Sequence, residues 1–168
     1  SFDGCSSLME IIIPSTVTSI GDNSFSQCSS LTAITIPSSL TILGDGIFNK
    51  CTKLTTIIIP SSVISIGNGT FFSCSELTKI LIPSSVTSIG DFAFSECSKL
   101  NEVLIPSSVI SIGSFTFSEC SSLKQISIPS SVTSFGDKIF DGIASLEITG
   151  NIDHIPDNLF EECIYLKQ

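Results

Sequence analysis

PSSVTSIGDFAFSECSKLNEVLI, residues 83–105, decides the fold, because most of the chain is this 23-residue unit written again. Prolines stand at 14, 37, 60, 83, 106 and 129. Phenylalanines stand at 2, 25, 48, 71, 94, 117 and 140, and cysteines at 5, 28, 51, 74, 97 and 120. A fixed period of this length marks a solenoid, in which each repeat is one coil stacked on the next. The apolar residues of one unit are too few to offset the backbone entropy of ordering it, so a coil depends on its neighbours.

Within the unit, Leu100, Val103 and Ile105 follow L-x-x-I-x-I, and the last two alternate as in a strand with one buried face. Pro106 ends the run because it has no N–H for a ladder. In-register parallel strands are therefore expected at 11–13, 34–36, 57–59, 80–82, 103–105 and 126–128. Val86 and Ile89 suggest a second, shorter extended piece, and Gly90 a turn. Asp22, Asp45, Asn68, Asp91, Ser114, Asp137 and Asp157 share the next column, and all are good helix N-caps. Phe94 and Cys97, three apart, would then lie on the inward face of a short helix.

The chain has 168 residues, enough for about seven coils in one solenoid spanning 1–168. Ser1 and Phe2 align with Ser24 and Phe25, so the chain reads as a piece of a longer array. After Leu146 the repeat shortens by three residues. Aligning Ile152 with Val132, Ile155 with Phe135 and Phe160 with Phe140 restores it, with Pro156 on the Gly column. Net charge is −9 with only seven basic residues, which argues against nucleic acid and against an anionic membrane surface. No apolar run approaches the ~18 residues of a membrane span.

Seven cysteines, an odd number at strict spacing, argue against a disulfide framework. Helices packed ~8–10 Å apart would also hold neighbouring cysteines beyond the ~7 Å reach of a bridge. Ile143 stands in the same column, so the cysteines read as a ladder of small buried hydrophobes, reduced and free of metal. His154 is the only histidine. Asp153 beside it would point to the other face of a strand and could not orient it, and no second histidine completes a zinc set. Glu161 and Glu162 read as a solvated pair. No catalytic residue, metal or cofactor is assigned.

The outward strand positions differ from the inward ones in that they vary. One column reads Ile12, Thr35, Ile58, Leu81, Leu104, Ser127, and the other Glu10, Ala33, Thr56, Lys79, Glu102, Gln125. The candidate partner-binding face comprises Ile58, Leu81 and Leu104, flanked by Lys79 and Glu102, with Thr35, Thr56, Gln125 and Ser127 around them. An exposed apolar stripe fits a binding surface, and equally the general preference of strands for aliphatic residues. Phe92 and Phe115 could stack on the opposite side; tucking under the next helix is the arrangement the pattern favours. Asn68-Gly69-Thr70 is a glycosylation sequon and also a cap position, so Asn68 is a glycosylation candidate or a replacement for Asp.

The L-x-x-I-x-I-P run, the I-G-D turn, the A-F pair and the Cys-Ser-x-Leu link resemble the BspA-like leucine-rich repeat, over nearly the whole chain. The resemblance implies an α/β solenoid: a right-handed coil with a parallel sheet on its concave side, short second strands, and short helices on the convex side. It also implies a non-catalytic protein-binding module of the cell surface or a secreted protein, used in adhesion or in binding host or matrix proteins. An intracellular scaffold in the cytoplasm and a structural spacer are the alternatives.

Overall fold

A computed structural model describes residues 1–150. The expected final coil, with Asp153, His154, Pro156, Asp157, Glu161, Glu162 and Cys163, lies outside the described residues. The strands are β1 (Glu10–Ile12), β2 (Ala33–Thr35), β3 (Ile42–Leu43), β4 (Ser65–Ile66), β5 (Lys79–Leu81), β6 (Ser88–Ile89), β7 (Glu102–Leu104), β8 (Ser111–Ile112), β9 (Gln125–Ser127), β10 (Ser134–Phe135) and β11 (Glu147–Thr149). Every pairing is parallel. The result is a β-solenoid of about six turns.

A long sheet runs β1-β2, then β5-β7-β9-β11. Ile58 of the third coil joins the two parts through single bridges to Thr35 and Leu81. The register matches like with like: Ile11 opposes Ile34, and Ile80 opposes Val103. The strands begin and end one residue earlier than expected, and the one expected at 57–59 is reduced to the isolated bridges of Ile58. Bridging Ile105 into a parallel ladder would need an N–H from the next residue, which is Pro106. β11 pairs Ile148 with Ile126, one residue out of step with the 23-residue period, so part of the sequence shortening is absorbed just after Leu146. The second sheet, in the order β10-β8-β6-β4-β3, confirms the short extended piece around Ile89.

Inward columns fill the space between the sheets. Ile34, Ile57, Ile80, Val103 and Ile126 are buried, as are Leu43, Ile66, Ile89 and Ile112 from the second sheet. Phe2, Phe25, Phe48, Phe71, Phe94, Phe117 and Phe140 form one continuous stack, with ring centroids 5.3–5.9 Å apart and planes within 15°. Serine hydroxyls line up in the same way. Ser62 donates to the Leu40 carbonyl, Ser85 to Val63 and Ser108 to Val86, each reaching one coil back.

The third side corrects the expectation of helices: the described residues contain none. Phe94 and Cys97 lie in a series of tight turns. The N–H groups of Ser95 and Cys97 bond three residues back, to Phe92 and Phe94. Those of Phe92, Phe94 and Glu96 donate to Ser114, Thr116 and Ser118 of the next coil, at 2.8–2.9 Å. A helix would direct all of these donors along its own axis and leave the neighbouring coil unbonded. One isolated turn also carries the full cost of helix nucleation. Left-handed residues every four positions interrupt any helical run: φ is 54° at Phe92 and 60° at Glu96.

The Asp column is corrected with it. These side chains do accept backbone N–H groups, but from the next coil. Asp45 Oδ1 accepts from Asn68 N at 2.7 Å, Asn68 Oδ1 from Asp91 N at 2.9 Å, and Asp91 Oδ1 from Ser114 N at 2.7 Å. This ladder crowds the Gly column beside it. Gly67, Gly90 and Gly113 do not have positive φ; they are needed for space. A Cβ on Gly113 would stand 2.5 Å from Asp91 N and 2.6 Å from the Gly90 carbonyl carbon, where backbone has to yield. Gly113→Ala is expected to cost about 2–3 kcal/mol, the size of an overpacking penalty. Urea titration checks it, with Gly21→Ala in the same column, where φ is not positive and a Cβ meets only Ser24 Oγ at 3.7 Å, as the uncrowded reference. Equal losses for the two variants would show that the crowding is relieved at no cost.

Candidate functional site

The outer face of the long sheet carries the candidate site. Period two sends Ile57, Ile59, Ile80, Ile82, Val103 and Ile105 into the core and the residues between them outward. Ile58, Leu81 and Leu104 are 82%, 58% and 57% exposed, in one line across three coils. Thr35, Thr56, Lys79, Glu102, Gln125 and Ser127 are exposed on the same face. All nine residues expected from the sequence are thus brought onto one surface. Lys79 Nζ meets Glu102 Oε1 at 2.7 Å across β5 and β7. The pair is exposed and contributes little stability, but it fixes a charge orientation beside the apolar ridge.

The site extends further than the sequence reading took it. Ile12 is more exposed than any of the three ridge residues and continues their line. Between Ile12 and Ile58 the small side chains of Ala33 and Thr35 leave a shallow recess of about 380 Å³, bounded also by Glu10 and Thr56. The alternation of large and small residues down that column was the available signal.

Asn68 is exposed, but its amide is in use: Oδ1 accepts from Asp91 N, and Nδ2 donates to Asp45 Oδ2 at 3.2 Å. Thr70 of the sequon is fully buried, with its hydroxyl on the carbonyls of Gly44 and Gly67. The geometry gives Asn68 the ladder role of the Asp residues in its column. Phe92 and Phe115 are not tucked beneath a helix. They stack on the turn side with centroids 4.9 Å apart and planes within 3°.

The cysteine column is more than a set of small hydrophobes. Cys51, Cys74, Cys97 and Cys120 donate their thiols to the carbonyls of Phe25, Phe48, Phe71 and Phe94 of the preceding coil, at 3.1–3.2 Å. Coils are hydrogen-bonded on this side, so the wide helix spacing expected between neighbouring cysteines is absent. The thiols are engaged with carbonyls instead. Burial pushes Cys51 and Cys120 up to about 12 and Cys74 and Cys97 well above the ordinary 9.0; the adjoining cysteines add to it for Cys51, Cys74 and Cys97. Cys5, in the first coil, is exposed, which corrects the expectation that the whole column is buried. Among the described residues no three histidine, cysteine or acidic side chains are grouped to hold a metal, and no helix is long and apolar enough to cross a membrane.

Stacked coils of this length, with a parallel sheet formed from L-x-x-I-x-I segments, define a leucine-rich-repeat solenoid. The chain belongs to the BspA type leucine-rich repeat family: its sequence matches that repeat region in six copies, over residues 1–108 and 87–168. No curated protein matches it. Among solved structures, a leucine-rich repeat protein of T. pallidum is 24% identical over 95% of this chain and 85% of its own, with a TM-score of 0.69. The pneumococcal vaccine antigen PcpA is 28% identical over 86% of this chain, with a TM-score of 0.73. A leucine-rich repeat protein of Eubacterium ventriosum is 28% identical over 90%, with a TM-score of 0.59. The chain spans 40% and 45% of the lengths of these last two.

Proposed function

We propose that the chain, taken as one solenoid through residue 168, is a non-catalytic protein-binding module whose partner docks on the long-sheet face. It would work at the cell surface or in a secreted protein, in adhesion or in binding a host or matrix protein. The observation that carries this reading is the ridge of Ile58, Leu81 and Leu104. It is exposed, apolar and contiguous, with the Lys79–Glu102 pair beside it, on a scaffold whose buried columns hardly change. A preformed sheet loses little freedom on docking, so contact energy appears as affinity. Membership of the BspA type family and likeness to a pneumococcal vaccine antigen support the surface setting.

Leu81→Ser with Leu104→Ser leaves the inward columns intact. The double variant should keep the parent's melting temperature and lose about 1–2 kcal/mol of affinity for a partner captured by the parent array, as truncation of interface anchors does. Titration calorimetry measures the affinity and scanning calorimetry the melting temperature. A double variant that binds as tightly as the parent places the partner elsewhere.

A further inference from the structure

We propose a second recognition site on the turn side, in which a single arginine side chain of a partner protein lies against the open face of Phe92 and pairs with Glu96. The site is independent of the long-sheet face.

The first observation is conformational. Phe92 and Phe115 have φ of 54° and 55°, a backbone region that bulky side chains avoid. The same column holds Asn23, Gly46 and Gly69 in earlier coils, so the turn closes without an aromatic residue. The fold does not need these rings, and the backbone disfavours them. Strain of this kind points to what the side chains present to solvent.

The second observation is the shape around them. One face of Phe92 is covered by Phe115. The other looks toward the third coil, where Gly69 has no side chain; a Cβ there would meet only Phe72 Cβ, at 3.7 Å. Phe92 is accordingly 41% exposed. Four residues on, the second left-handed column reads Lys50, Ser73, Glu96, Glu119. The third coil is therefore low at both Gly69 and Ser73. The fourth rises beside it with an aromatic face at Phe92 and a carboxylate at Glu96.

The third observation is charge. Glu96 and Glu119 are exposed in adjacent hydrogen-bonded coils, and neither takes part in the ion pairs of the described residues, Lys79–Glu102 and Lys99–Glu76. A flat cation satisfies both walls of the step. A guanidinium stacks on an aromatic face while its edge donors reach a carboxylate, which a lysine ammonium does less well. Lys50 bounds the far side, one coil beyond Ser73, and repels a second cation, so the step suits one arginine and not a basic run.

The test is an NMR titration of the chain with acetyl-Gly-Arg-Gly-amide, alongside the lysine peptide and the uncharged citrulline peptide. Shifts are expected at Gly69, Ser73, Phe92 and Glu96 with the arginine peptide. Binding should be about threefold weaker for lysine, and about tenfold weaker or lost for citrulline, for Phe92→Gly and for Glu96→Gln. Phe92→Gly should keep the parent's melting temperature, and Leu81→Ser with Leu104→Ser should keep arginine binding. Citrulline binding as well as arginine, or Phe92→Gly binding as well as the parent, overturns the proposal. So does a sharp fall in melting temperature on Phe92→Gly, which would make the ring a packing element.

Discussion

Phe94→Ala is expected to lower unfolding free energy by about 4–5 kcal/mol, at the upper end for a buried phenylalanine. The ring is fully buried and stacks on Phe71 at 5.4 Å and on Phe117 at 5.5 Å, so its removal breaks the column in two places. Nothing nearby can fill the space. The rings above and below are held by backbone bonds of their own coils to the next, through Phe71 N to Ala93 O and Phe117 N to Ile139 O. The cavity therefore persists, which is the condition under which large-to-small changes cost most. Phe2→Ala is the comparison, because Phe2 is 41% exposed and stacks on one neighbour only. It should cost about 1–2 kcal/mol, the reduced transfer term of a half-buried ring. Urea midpoints of the two variants decide the matter, and similar losses would show that the column contributes no more than local burial.

Alkaline pH should unfold the solenoid by way of its cysteines. Below pH 9 the thiols are protonated whether the chain is folded or not, and stability does not depend on them. Above 9.0 an unfolded thiol gives up its proton. Cys51 and Cys120, pushed to about 12, keep theirs, as do Cys74 and Cys97, which burial also raises well above 9.0. The folded state then binds more protons than the unfolded one, so stability falls as pH rises. A thiol that stays protonated in the folded chain accounts for about 1.4 kcal/mol per pH unit, so Cys51 and Cys120 together account for roughly 3 kcal/mol by pH 10, and Cys74 and Cys97 add to the loss in the same direction. Urea midpoints at pH 7.5 and pH 10 measure the loss, and Cys97→Ala should make it smaller. In the folded chain Cys5 should react with a thiol reagent at once, and the buried column only as it opens. A midpoint that does not move to pH 10 would mean that the buried thiols ionise as readily as free ones.

The sheets were legible because the apolar spacing of the repeat admits one register: a slip would carry Ile80 and Val103 out of the core. The ridge of Ile58, Leu81 and Leu104 followed from the same alternation. The turn side was not legible in the same way. Phe94 and Cys97 are three apart, a spacing that serves a helix and a chain of turns equally well. The distinguishing signal lay in two other columns, Asn23, Gly46, Gly69 and Gly4, Gly142, four residues apart and rich in residues that tolerate positive φ. Asp45 and Asp91 were read with the right chemistry and the wrong partner, since a side-chain oxygen that can cap its own turn can equally accept from the coil above. The donor role of Cys97 appears only once Phe71 O is placed beside it.

The turn side is itself electrically polar along the solenoid axis. Phe2, Phe25, Phe48, Phe71, Phe94 and Phe117 all send their N–H groups toward the following coil, and the left-handed residues on either side of them do the same. Three files of peptide dipoles therefore run head to tail along the axis, much as they do inside an α-helix, and each bond polarises the next. The sense is opposite to that of a helix: carbonyl oxygens gather at the N-terminal end and N–H groups at the C-terminal end. On the second-sheet side Gly67, Gly90, Gly113 and Gly136 form a file of the opposite sense, each donating its N–H to the preceding coil, so one flank of the solenoid is polar one way and the other flank the reverse.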